Sequence, residues 1–194
     1  AELYTGLVEV GVGLIPGAGG NLRMIMKAQD RLSKGRAGAF QVAQKAFEAI
    51  GFAKVSMSAK HAVSIGYLTK DDIIVVNQDH RVSRAKAEVL SMSEGYEAPE
   101  LRTDLFLPGK GGRLAVKSSV KGFLKSGKIS EHDAFIAEKL AFVLTGGDKG
   151  GIMRPLDEQY LLDLEREAFV SLGGEPKTRD RIEYMLKRGR PLRN

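Results

Sequence analysis

The chain has 194 residues, 43% hydrophobic and 28% charged, enough for one domain with its own core or one domain plus an appendage. It contains no cysteine, which excludes disulfides, thiolate nucleophiles and cysteine-ligated zinc and is compatible with the cytoplasm, where the chain is expected. No apolar run reaches the roughly 18 residues of a membrane span. The net charge of +6 comes from cations spread along the chain without interleaved aromatics, so nucleic acid is not an expected partner.

The sequence opens on Ala1 and reads as the middle of an element, so a fragment or processed piece is expected. Residues 8–20 read Val-Glu-Val-Gly-Val-Gly-Leu-Ile-Pro-Gly-Ala-Gly-Gly. An acid and an apolar run thus lead into a glycine turn and then a helical pattern. Glycine lacks a Cβ and lets a backbone turn tightly or come close to a ligand. The N–H groups of the following helix point back at the turn, a natural place for an anion or an ordered water. Glu9 lies where a carboxylate can do acid–base work. The same spacing suits a structural strand–turn–helix junction with a solvated glutamate. A nucleotide loop is excluded, because no Lys-Ser/Thr follows the glycines and their spacing is not G-x-G-x-x-G.

Helical periodicity predicts a helix over 22–34, stopped by Gly35, and a second over 38–50, ended by Gly51. Ser58 is placed to cap a short helix closed by Gly66. The β-branched run Ile73-Ile74-Val75-Val76 predicts a buried strand. Residues 80–93 are amphipathic, with Val82, Ala85, Val89 and Leu90 expected inward. Composition changes at Gly95, and 96–112, with Pro99, Pro108 and a Gly-Lys-Gly-Gly turn, reads as a linker or extended excursion. Helices follow over 114–125, after Ser130 with Glu131 and Asp133 in its first turn, and over 157–172. Thr178 is expected to cap a last helix running to Lys187. The apolar stripes over 114–144 fit core packing, a lid or a partner surface.

The segment from Glu9 to Gly20, Glu-x-x-x-x-x-Ile-Pro-Gly-Ala-Gly-Gly, resembles the second catalytic segment of the crotonase (enoyl-CoA hydratase/isomerase) superfamily. Two further segments resemble that family in the same order. One carries Ala46-Phe47-Glu48-Ala49-Ile50, Ser56-Met57-Ser58-Ala59-Lys60-His61-Ala62 and Gly66-Tyr67-Leu68. The other carries Glu165-Arg166-Glu167-Ala168-Phe169 and the run from Arg181 to Pro191. The longer stretch over 96–151 and the ending Pro191-Leu192-Arg193-Asn194 look like the crotonase-type region of bacterial fatty-acid-oxidation enzymes that also carry a 3-hydroxyacyl-CoA dehydrogenase module.

The resemblance implies an α/β fold: an incomplete crotonase-type core, mostly helical in this stretch, with few strands. Residues 1–95 would be the second half of that core, 96–151 a linker and helical insertion, and 152–194 a C-terminal helical region. It implies hydration or isomerisation of 2-enoyl-CoA thioesters in fatty-acid β-oxidation. Glu9 aligns with the second of two glutamates that activate water and return a proton to the α-carbon, and Gly17 with a glycine whose backbone positions that water. The first glutamate and both oxyanion donors would lie upstream, as would any NAD-binding dehydrogenase module, so this stretch alone is expected to be inactive. Lys187 and Arg188 are carried over as candidates for the coenzyme A phosphates; a solvated basic tail explains them equally. Coenzyme A enters only as part of an acyl-CoA thioester substrate, and the expected partners are an upstream dehydrogenase module or further copies of the chain.

His61, His80 and His132 are far apart and have no acids at metal-ligand spacing, so no metal site is expected. Two other functions remain open from the residues themselves: a non-catalytic helical docking or oligomerisation region, and a basic nucleic-acid-binding domain.

Overall fold

The computed structural model describes residues 2–32 and 38–194. It is mostly helical, with α1 (Gly20–Leu32), α2 (Ala39–Gly51), α3 (Ala59–Ile65), α4 (Arg81–Ser93), α5 (Gly109–Lys125), α6 (Glu131–Leu144), α7 (Glu158–Gly173) and α8 (Pro176–Arg188). Two short strands, β1 (Leu105–Phe106) and β2 (Pro155–Leu156), pair antiparallel with Leu105 opposite Leu156. The expected end of the first helix at Lys34 and Gly35 lies outside the described residues.

The core forms around α6, which packs against α1, α2, α5 and α7. Its sequence explains the position: Ala134, Ile136, Leu140, Ala141, Val143 and Leu144 are all buried, so apolar residues cover most of its circumference. A helix of that kind is stable only when enclosed by neighbours. Its start is fixed by a capping box, in which the Ser130 hydroxyl accepts from the Asp133 N–H at 3.1 Å and the Asp133 carboxylate accepts from the Ser130 N–H at 3.0 Å. α2 buries Ala39, Ala43, Ala46 and Ala49, small residues that let neighbouring backbones approach closely.

The stretch read as a linker is partly anchored in the core. Leu105 and Leu107 are fully buried. The side-chain amide of the buried Gln29 acts as a substitute strand, its Nε2 donating to Asp104 O at 2.8 Å and its Oε1 accepting from Phe106 N at 3.0 Å. Arg102 ties the same stretch down by forking onto Asp104 and Asp30, each at 2.8 Å. The glycines at 109–112, expected as a turn, open α5 instead.

Residues 69–101 correct two expectations. Ile73 to Val76 form no strand; they run unpaired, and Ile73, Ile74 and Val76 are exposed. A β-branched run becomes a strand only where an edge is available to pair with it. The predicted helix exists as α4, but none of its residues is buried, and Val82, Val89 and Leu90 face solvent. The last helix begins three residues earlier than expected, with Pro176 in its first turn and Glu175 as the flanking residue. Thr178 is therefore not its cap.

Candidate functional site

Residues 2–7 run extended alongside 55–58, joined by antiparallel bridges between Glu2 and Ser58 and between Gly6 and Val55. The Ser56 hydroxyl donates to Leu3 O at 2.7 Å and accepts from Thr5 N at 3.2 Å. Tyr67 secures the next step: its hydroxyl accepts from Leu7 N at 3.3 Å and donates to Lys54 O at 2.7 Å. The chain then enters a four-residue 3-10 helix, Glu9–Val12, where Leu14 N donates to Glu9 O at 3.1 Å.

Glu9 sits on this turn, half-buried, at the start of the bend. Its Oε2 is buried and has no hydrogen-bond partner among the described residues. A carboxylate oxygen in that state gives up hydration without gaining a donor, which is costly in a structure that satisfies most buried polar atoms. The Tyr67 phenol is pushed up, mainly by burial; the Leu7 N–H opposes this and the nearby Glu9 charge adds to it.

The far side of the bend is held from the C-terminal helices. Gly13 has φ +89°, and a Cβ there would lie 2.7 Å from Thr178 Oγ1. Only glycine suits both the left-handed backbone and that contact. The Thr178 hydroxyl donates to Gly13 O at 2.9 Å and lies 2.9 Å from His132 Nε2. Because its single proton is committed to the carbonyl, Thr178 accepts from His132, which fixes the Nε2–H tautomer. Burial holds the His132 imidazole below its ordinary range, aided by the Arg181 and Lys177 charges and opposed by Glu175 and Asp133. His132 is therefore neutral near pH 7.

Behind it lies an ion-pair network. Fully buried Arg181 donates to Asp133 Oδ1 at 2.7 Å, to Asn194 Oδ1 at 2.8 Å and to Ser130 Oγ at 3.3 Å. Arg193 reaches the other Asp133 oxygen at 3.2 Å. Burial alone would raise the Asp133 carboxyl, but the Ser130 N–H and the Arg181 guanidinium outweigh it and hold it below the usual range.

The glycine turn corrects an expectation. The place read as open to an anion or a water is taken by the chain's own Glu165, on α7. Its carboxylate accepts from Gly19 N and, at 2.9 Å, from Asn21 N, satisfying the first N–H groups of α1. Glu165 is buried, and 144 residues separate it from Asn21, so no local pattern announces the pairing. Gly17 is exposed and lies under the Phe169 ring; a Cβ would meet Phe169 Cδ2 at 2.5 Å. The turn therefore packs α1 against α7.

Lys187 and Arg188 are exposed in the last turn of α8, and Lys187 pairs with Glu183. They lie about 14 Å along the helix from Thr178, at the end away from the bend. The structure thus brings Thr178 to Gly13 but leaves this basic pair elsewhere. His61 is exposed and accepts from Met57 N at 3.2 Å, and His80 precedes α4. Among the described residues no group of three or more His, Asp or Glu side chains is placed to hold a metal, and no helix is long and apolar enough to cross a membrane.

Next to the 3-10 helix is a cavity of about 300 Å³ between α2, α5 and α6, with Val10 and Gly11 among its lining residues. Glu9 does not line it. Tyr67, Thr178, His132 and Glu165 are the supporting residues that sequence reasoning did not assign to the bend. Each acts through a partner distant in sequence.

No protein-family model matches the chain, and no solved structure does. Among curated proteins it is similar to the "Probable 3-hydroxyacyl-CoA dehydrogenase" of Bacillus subtilis (strain 168), with 44% identity over 194 residues. The alignment covers 100% of this chain and 24% of that protein, so the chain spans about a quarter of the length of the relative it matches.

Proposed function

We propose that this chain is the crotonase-type part of a larger 3-hydroxyacyl-CoA dehydrogenase of fatty-acid oxidation, with Glu9 as its proton-transferring carboxylate. Residues 1–95 then form the second half of the catalytic core, 96–151 a helical insertion and 152–194 a closing helical region. The buried, unpartnered Glu9 Oε2 carries this reading. A structural carboxylate would be expected to use that oxygen in a hydrogen bond, as Glu165 uses both of its own. The name of the Bacillus relative supports the acyl-CoA setting.

In this reading Glu9 Oε2 takes a proton from water as it adds to the β-carbon of a 2-enoyl thioester, or moves a proton at the α-carbon. The 3-10 helix, Tyr67 and the Gly13–Thr178 contact hold the carboxylate in place. The first glutamate and the oxyanion donors come from parts of the protein outside this chain. Lys187 and Arg188 meet coenzyme A phosphates only if another subunit or module presents the thioester to that end of α8.

The test is hydration of crotonyl-CoA by the full-length protein. Glu9→Gln should lower kcat by about 10²- to 10⁴-fold, the usual weight of a positioned acid–base group. Unchanged turnover would remove Glu9 from the mechanism.

A docking role for 69–101 is the second reading. α4 buries none of its residues, and a groove of about 440 Å³ lies between its Ala85 and Val89 and the exposed Ile73 and Ile74. Such apolar exposure marks contact surfaces in folded proteins.

A further inference from the structure

We propose that the cavity between α2, α5 and α6 is a binding site for an aliphatic carboxylate, separate from the thioester chemistry assigned to Glu9. Its wall is apolar, built from Phe47, Val120, Phe123, Ile136 and Leu140. At about 300 Å³ it lies at the lower end of small-molecule sites. Phe52 and Phe123 meet edge to face at 5.8 Å on the same lining, giving one side a fixed aromatic surface. These groups suit a hydrocarbon chain, which loses water on entry and needs no polar partner.

The charged groups lining the cavity decide the head group. They are Lys128, Asp133 and Arg193. Asp133 is already served: Arg181 donates to one oxygen at 2.7 Å, and the Ser130 N–H donates to the other at 3.0 Å. Arg193 is the surplus cation, its side chain 71% exposed and 3.2 Å from an Asp133 oxygen. Lys128 pairs with no carboxylate among the described residues and lies over the Phe123 ring at 5.8 Å. An incoming carboxylate can therefore take Arg193 and Lys128 without leaving Asp133 unpaired. An ammonium head group would face two cations, and an alcohol would leave both unused.

The experiment is calorimetric titration of the full-length protein with decanoate, and with decylamine and decanol as head-group controls. Decanoate should bind saturably, and decylamine and decanol at least tenfold more weakly. The double variant Lys128→Gln/Arg193→Gln, which changes only rim residues, should weaken decanoate at least tenfold. Ala137→Leu, which fills the cavity, should do the same, with its melting temperature checked for intact folding. Glu9→Gln should leave decanoate binding unchanged, so the fate of this site is independent of the thioester reading. Absent saturable binding, equal binding of decylamine, or decanoate affinity unmoved in the rim variant would each overturn the proposal.

Discussion

α4 and α6 have 13 and 14 residues and both carry amphipathic or apolar helical sequence, yet their fates are opposite. α6 is enclosed by four other helices and buries residues along its whole length. α4 buries none, and Val82, Val89, Leu90 and Met92 remain exposed. Periodicity states that a helix has an apolar side. It does not state what covers that side. The bend around Glu9 belongs with the α6 region: it is built where α7 and α8 return to the start of the chain.

The largest difference between the regions should appear on truncation. Leu140→Ala should destabilise the protein by about 2–5 kcal/mol in urea unfolding, because it opens a cavity in a fully buried position. Val89→Ser on α4 should change stability by no more than about 0.5 kcal/mol. A Val89→Ser cost approaching that of Leu140→Ala would show that α4 is covered in the native protein and would support the docking role.

Glu165→Ala should come next, at about 2–3 kcal/mol, since it leaves the Gly19 and Asn21 N–H groups unpaired at the start of α1. Circular dichroism and urea unfolding would check this; a loss near zero would mean that water serves the helix start equally well.

The smallest effect concerns pH. His132 has a depressed pKa in the folded state, so its contribution is complete above the unfolded value of about 6.5 and is lost as pH falls through the folded value. Unfolding free energy should fall on acidification from about pH 6.5, and His132→Gln should flatten that slope. An identical slope in the variant would place the acid sensitivity elsewhere. Asp133 adds a separate loss of the same sign only below the ordinary carboxylate range of about 3.9, because its folded pKa is also lowered.

Much of the helical order was legible because its signals are local. Ser58 and Ser130 cap where their sequence positions suggest, and apolar spacing locates α2, α6 and α7. What was not legible depends on distant partners. Thr178 has the chemistry of a cap, but its hydroxyl is drawn 165 residues back to Gly13 O. Ile73 to Val76 have strand propensity but pair with no strand among the described residues. The glycine turn was legible as a helix start, whereas its anion, Glu165, was not. Glu9 was singled out by position and resemblance; that its Oε2 is buried without a donor emerged only from the fold.

The most direct measurement is the melting temperature and the crotonyl-CoA turnover of Glu9→Gln, taken on one preparation of the full-length protein. A carboxylate kept unpartnered for chemistry predicts turnover lost by at least about 10²-fold with the melting temperature equal or higher. A lower melting temperature with turnover intact would make Glu9 a structural residue and contradict the proposed function.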